Sequence, residues 1–179
     1  MNILVLGFGT FGDVPDNPSA SLARAVHGRA AGPATLHGFE MPVSYRRSHA
    51  LTLERVQALR PALVLGIGVA VNRPRAMVEG VAVNRVAAGR PDVDGHAPRW
   101  LGDGPDTMAS ADAWLLSIAL GVDISPDAGR YVCNAWLYQS LRSRLRAGFL
   151  HVPATGFDSE SLVDGLGRMA AVTVGFPPN

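Results

Sequence analysis

The stretch Asn2-Ile3-Leu4-Val5-Leu6-Gly7-Phe8-Gly9-Thr10-Phe11-Gly12, followed after a short gap by Asn17-Pro18-Ser19, decides the fold. Asn2 to Leu6 is apolar without alternation, the pattern of a strand covered on both faces, and Gly7 closes it. The chain therefore starts inside a sheet. After a loop rich in glycine and proline, Asn17 offers a side-chain cap and Pro18 suits the first helical position, so a helix is predicted to about His27.

The alternation continues outward. Thr35 to Glu40 reads as a strand, Ser44 to Leu59 as a helix with Leu51, Arg55, Val56 and Leu59 along one face, and Ala62 to Val69 as another buried strand. Ala76 to Val83 reads as a strand in spite of Glu79 and Gly80. From Ala87 to Thr107 the composition turns to Gly, Pro, Asp and Arg; so long a loop in a compact domain is more often functional than idle, and a lid or an oligomer contact is expected there. Ser110 to Leu120 and Tyr131 to Arg146 read as helices, Phe149 to Val152 as a short strand, and Ser159 to about Val174 as a last helix weakened by Gly165 and Gly167. Strands alternating with helices predict an α/β fold, a mostly parallel sheet covered on both faces, in a single domain over residues 1–179.

Composition removes several functions. With 179 residues, 47% apolar and 17% charged, the chain can bury one sizeable core. Its net charge of +1 provides no field toward nucleic acid or an anionic membrane, so neither is expected as a partner. All sixteen basic residues are arginine, which excludes a lysine Schiff base, a phosphate-loop lysine and a Ser-Lys dyad. The single cysteine, Cys133, excludes an internal disulfide and a multi-cysteine zinc site, and a lone thiol fits a reducing compartment. The longest apolar run, Ala62 to Val71, falls well short of the roughly 18 residues of a membrane span, and the N-terminus lacks the basic start of a secretory signal. A cytoplasmic protein is expected.

Gly7, Gly9 and Gly12 form a literal G-x-G-x-x-G after a strand, with Glu40 where a ribose-binding acid would stand. A dinucleotide-binding oxidoreductase is thus one alternative. Against it, Asp13, Pro15, Asp16 and Pro18 keep the chain out of helix where backbone amides would have to meet pyrophosphate. Phe8 and Phe11 need another explanation, because loop aromatics have to pack on a core or a ligand.

Cys133 falls at the start of a predicted helix, where unpaired amides and the helix dipole favour a thiolate and can receive an oxyanion. The competing reading is a small buried hydrophobe. A nucleophilic thiol needs a base, and His151 lies near the carboxyl end of the next strand, where a helix-to-strand return brings it back beside the helix start. Glu79 stands in an apolar strand, and a carboxylate there costs ~2 to 3 kcal/mol or more unless it is paired. Its partner is either an imidazole N–H, which would fix the histidine tautomer, or an arginine such as Arg73, Arg75 or Arg90.

Four segments, in order, now carry a resemblance. Gly7-Phe8 and Phe11-Gly12 with Asn17-Pro18-Ser19, Glu79 with Ala82, Asn84, Pro91, Asp92 and Gly95, Asp127 to Asn134 (DAGRYVCN), and Gly148 to Pro153 (GFLHVP) are together similar to the pyroglutamyl peptidase I family of cysteine peptidases, also called pyrrolidone-carboxylate peptidases. The resemblance implies a three-layer α/β/α fold and a Cys133, His151, Glu79 triad that removes an N-terminal pyroglutamyl residue. It further implies a homo-oligomer, dimer or tetramer, and no metal or organic cofactor. Phe8 and Phe11 would wall the lactam ring, while Asn17, Gly68, Val69, Val132 and Arg90 would complete the substrate site. The sequence also departs from the family. Gly80 replaces an arginine usual directly after the glutamate, and Ala87-Ala88-Gly89-Arg90 replaces an Asp-Ala-Arg run, so an active-site arginine is either shifted to Arg90 or lost. The Cys-to-His connection is also short. These changes leave open a relative with an altered amide substrate.

Overall fold

A seven-stranded mixed sheet organises the computed structural model, which describes residues 1–12, 17–87 and 89–175. In chain order the elements are β1 (Asn2–Phe8), α1 (Pro18–Val26), β2 (Ala30–Ala31), β3 (Ala34–Met41), α2 (Arg47–Leu59), β4 (Leu63–Val69), β5 (Met77–Glu79) and β6 (Val81–Val83). There follow β7 (Thr107–Ala109), α3 (Ala113–Leu120), β8 (Asp123–Ser125), α4 (Val132–Arg142), β9 (Ala147–Val152) and α5 (Ser159–Gly175). The sheet order is β2-β3-β1-β4-β9-β5-β8, parallel from β3 through β9 and antiparallel at β2 with β3 and at β5 with β9. Asp13 to Asp16 and Ala88, on which part of the sequence reading fell, lie outside the described residues.

Period-two sorting of each strand builds two cores. Ile3, Val5, Leu65, Ile67, Leu150 and Val152 face α1, α3 and α5. Leu4, Leu6, Phe8, Val64 and Phe149 face the other way, onto α4 and the half-buried inner side of α2. The three layers predicted are thus present. Trp136 of α4 fills the second core and donates its indole N–H to Thr52 Oγ1 of α2 at 2.8 Å, which satisfies the indole's only polar group in a buried place.

Local signals explain the element ends. Asn17 caps α1 by accepting from the Ser19 N–H at 3.1 Å, and Pro18 opens the helix as expected. The predicted strand Ala76 to Val83 is two strands. At Gly80 the chain leaves the main sheet: its N–H donates to Ser125 O at 2.8 Å and its carbonyl accepts from the Ser110 N–H at 2.9 Å. Beyond it, β6 pairs with β7 in a separate antiparallel ribbon. Glycine suits this crossing because a Cβ at position 80 would sit 2.9 Å from Ile124 Cγ2.

The long segment after β6 is pinned to the body. Asn84 donates to Gly102 O at 2.9 Å and accepts from the Leu101 N–H at 3.0 Å. Buried Asp92 accepts backbone N–H groups of Tyr45, Asp94 and His96 at 2.8 to 2.9 Å. Arg90 to Val93 are thereby fixed as one wall of a cleft at the carboxyl end of β4 and β9. Among the described residues, no helix is long and apolar enough to cross a membrane.

Candidate active site

Sheet register brings the histidine and the carboxylate together. His151 of β9 lies opposite Met77 of β5 on one side and Gly68 of β4 on the other. Glu79 is two residues beyond Met77 and so shares a face with His151, as its diagonal neighbour, a separation that long side chains bridge. His151 Nδ1 donates to Glu79 Oε1 at 2.6 Å, with Glu79 fully buried and His151 6% exposed. This fixes the imidazole so that Nε2 is the nitrogen left for chemistry.

Cys133 arrives from the layer above. It is the second residue of α4, half-buried, and it lines the same small cavity as His151. Gly129, at φ +80, turns the chain into this helix, and the N-terminal residue Tyr131 makes no side-chain cap bond, so first-turn amides stay free for an anion. Gly68 provides the space beneath: a Cβ there would stand 2.9 Å from Cys133 Sγ and 3.0 Å from Phe149 Cζ. The thiol is therefore seated on a bare stretch of β4, beside the imidazole, and is not sealed in the core.

Electrostatics follow from this packing. Burial is the largest single influence on His151 and disfavours its charged form, but the adjoining Cys133 sulfur and then Glu79 together outweigh it, and the pKa is pushed up to about 9. At neutral pH the resting centre is thus an imidazolium held between a sulfur and a carboxylate.

Of the residues expected to meet substrate, Phe8, Phe11, Asn17, Gly68, Val69 and Arg90 line this cavity of about 170 Å³. Phe8 packs on Phe149 with ring centroids 6.2 Å apart, and Phe11 lies 6.3 Å from Tyr131, so both rings are held by the protein and still face the cavity. The Asn17 amide donates to Gly9 O at 2.8 Å, which ties the helix cap to the loop after β1. Val132 is placed differently: it is fully buried in the second core and does not line the cavity. Arg90 stacks over the Tyr131 ring at 4.1 Å and borders both the small cavity and a wider cleft of about 790 Å³. Tyr131 and Tyr45, whose phenols burial pushes up in pKa, donate as neutral hydroxyls to Pro91 O at 2.9 Å and Arg90 O at 3.4 Å.

Glu79 has both of the partners between which the sequence left a choice. Arg73 Nη1 donates to the same Oε1 at 2.5 Å, and Arg73 Nη2 reaches Asp127 O at 2.7 Å and Ser125 Oγ at 3.2 Å. Arg75 pairs loosely with Asp123 at 3.8 Å, and Arg90 makes no ion pair among the described residues. The sequence offers three arginines as partners, and nothing in the Asn-Arg-Pro-Arg context of Arg73 distinguishes it from Arg75. At the other end of the sheet edge, Glu40 is bound in an ion pair with Arg24, and α1 begins only at Pro18, so the glycine loop does not open a helix onto a phosphate.

A thiol at a helix start, an imidazole at a strand end and a buried carboxylate on a three-layer α/β/α scaffold define a class, the cysteine-dependent hydrolases. The chain belongs to the pyroglutamyl peptidase family, whose model matches residues 1–158. It is 31% identical over 172 residues to a pyrrolidone-carboxylate peptidase of Halalkalibacterium halodurans, covering 86% of this chain and 84% of that protein. A namesake from Thermococcus onnurineus is 31% identical over 171 residues, with the same coverage. Among solved structures, the pyrrolidone carboxyl peptidase of Thermococcus litoralis superposes with a TM-score of 0.86 at 25% identity, over 98% of this chain and 94% of that one. Pyroglutamyl peptidase I of Bacillus amyloliquefaciens gives 0.82 at 25% identity, over 98% and 95%.

Proposed function

We propose that the protein is a cysteine-type omega peptidase that removes an N-terminal pyroglutamyl residue, with Cys133 as nucleophile, His151 as acid and base, and Glu79 as the group that orients His151. The observation that carries this reading is the buried 2.6 Å bond from His151 to Glu79 in a cavity shared with Cys133. The lactam ring would lie between Phe8 and Phe11, with backbone groups of Gly68 and Val69 and the adjoining loop bonding its N–H and C=O. Matched polar partners in such a site reject analogues that lack them by ~10⁴-fold, where an apolar slot alone discriminates weakly.

In acylation the Cys133 thiolate attacks the carbonyl after the ring, and free amides of the α4 first turn receive the oxyanion. The imidazolium of His151 gives its proton to the departing amine as the C–N bond breaks, leaving a thioester and a neutral ring. Water then adds to the thioester with loss of a proton to His151, and C–S cleavage releases pyroglutamate and restores thiolate and imidazolium. Reliance on a free thiol supports a reducing, cytoplasmic setting. Family membership and the exposed side chains of Trp114, Ile118 and Ile124 support assembly as a dimer or tetramer.

A fluorogenic pyroglutamyl amide tests the reading. Turnover should be abolished by Cys133→Ser and by thiol alkylation. An alkylatable Cys133 in a folded protein that leaves this amide intact would overturn the substrate assignment and point to a relative acting on another amide.

A further inference from the structure

Glu79 faces an electrostatic problem that changes during the proposed cycle. In the resting centre the buried carboxylate lies against an imidazolium, but once the amine has left, His151 is neutral and the sulfur is tied up in a thioester. A fully buried carboxylate beside a neutral ring carries a charge that the ring no longer balances, which costs several kcal/mol unless another group does so. The Glu79 carboxylate must nonetheless stay beside the ring, because deacylation has to form the imidazolium again. Its other oxygen, Oε2, is buried with no hydrogen-bond partner among the described residues, so no second donor there holds the charge.

We infer that Arg73 is a positioning residue that balances the Glu79 charge and holds the carboxylate beside His151 through the acyl-enzyme stage, so that its contribution falls mainly on thioester hydrolysis. This rests on the peptidase reading above. Arg73 bonds the same Oε1 that receives His151, at 2.5 Å, and its own chain is about three-quarters buried. Its second nitrogen is fixed by Asp127 O and Ser125 Oγ, both on the segment that leads into the Cys133 helix. The guanidinium therefore has one pose, with a permanent charge that no step consumes. Among the described residues, His151 and Arg73 are the only side chains bonded to Glu79.

The test compares the parent protein, Arg73→Met and Arg73→Lys on a pyroglutamyl p-nitrophenyl ester, for which acylation is fast. For Arg73→Met, the deacylation rate should fall by ~10²-fold, the usual scale of a lost acid–base contribution, while the initial burst of nitrophenol persists. kcat and KM should then fall together, with kcat/KM nearly unchanged, and intact-mass analysis should show a pyroglutamyl adduct accumulating. Arg73→Lys, which retains the charge but cannot hold all three acceptors, should recover part of the rate. A purely structural role would lower burst and steady rate alike. That outcome, or an unchanged deacylation rate, overturns the inference. Should Arg73→Met not fold, Arg73→Gln takes its place, and an unchanged deacylation rate there would overturn the inference equally. Failure of the parent to hydrolyse both this ester and the fluorogenic pyroglutamyl amide would instead refute the peptidase reading itself.

Discussion

At the scale of single residues, the proposed mechanism makes the imidazole of His151 the group that sets the working pH range. Its pKa of about 9 lies above the ordinary value near 6.5, so the imidazolium needed to protonate the leaving amine persists through neutrality and disappears as pH rises through about 9. The pH profile of kcat/KM should accordingly descend on its alkaline side near pH 9. Glu79→Gln removes a group that raises this pKa, and the alkaline limb should move to lower pH, as read from a profile taken with the same amide. A limb that stays in place would mean that the carboxylate does not govern the ring. The pairing also contributes stability, complete below the unfolded imidazole's 6.5 and lost as pH climbs through about 9. Cys133, His151 and Glu79 are candidates in the sequence because each is chemically conspicuous where it stands. Arg73 was not conspicuous: an arginine in a turn looks solvated until the fold shows which carboxylate it meets.

Elements were legible in proportion to their length and apolar run. β1 and β4 were readable because a strand buried on both faces announces itself by an apolar run, β3 because its positions alternate between buried and exposed, and β9 by its short apolar stretch around His151. β8, with Asp123 and Ser125 around Ile124, has only three residues and no periodicity, and its pairing with β5 comes from tertiary contact. The division at Gly80 was hidden for a similar reason, since Val81 to Val83 continue the apolar pattern while changing sheets. One side chain ties the resulting ribbon to α4. Asn134 of α4 accepts from the Val83 N–H at 2.8 Å and donates to Val83 O at 2.9 Å and Arg85 O at 3.1 Å. Asn134→Ala should therefore destabilise the protein by about 2 kcal/mol, the scale for losing three hydrogen bonds to part-buried backbone groups, in urea unfolding. A change within a few tenths of a kcal/mol would show that water takes over all three bonds.

For the molecule as a whole, the functional parts differ in how they are anchored. Phe11, Arg90 and Arg73 come from connections, whereas His151 is a rung of the main sheet with strands on both sides, and Cys133 belongs to a helix buried against that sheet. A slip of one residue between β5 and β9 would turn Glu79 and His151 to opposite faces. The proposed proton-handling pair thus stands on two directly paired strands of one sheet. Turnover should behave as a thermometer of the sheet: on slow heating, hydrolysis and far-ultraviolet dichroism should vanish over one temperature interval. An earlier loss of hydrolysis would assign the weak point to the surrounding connections.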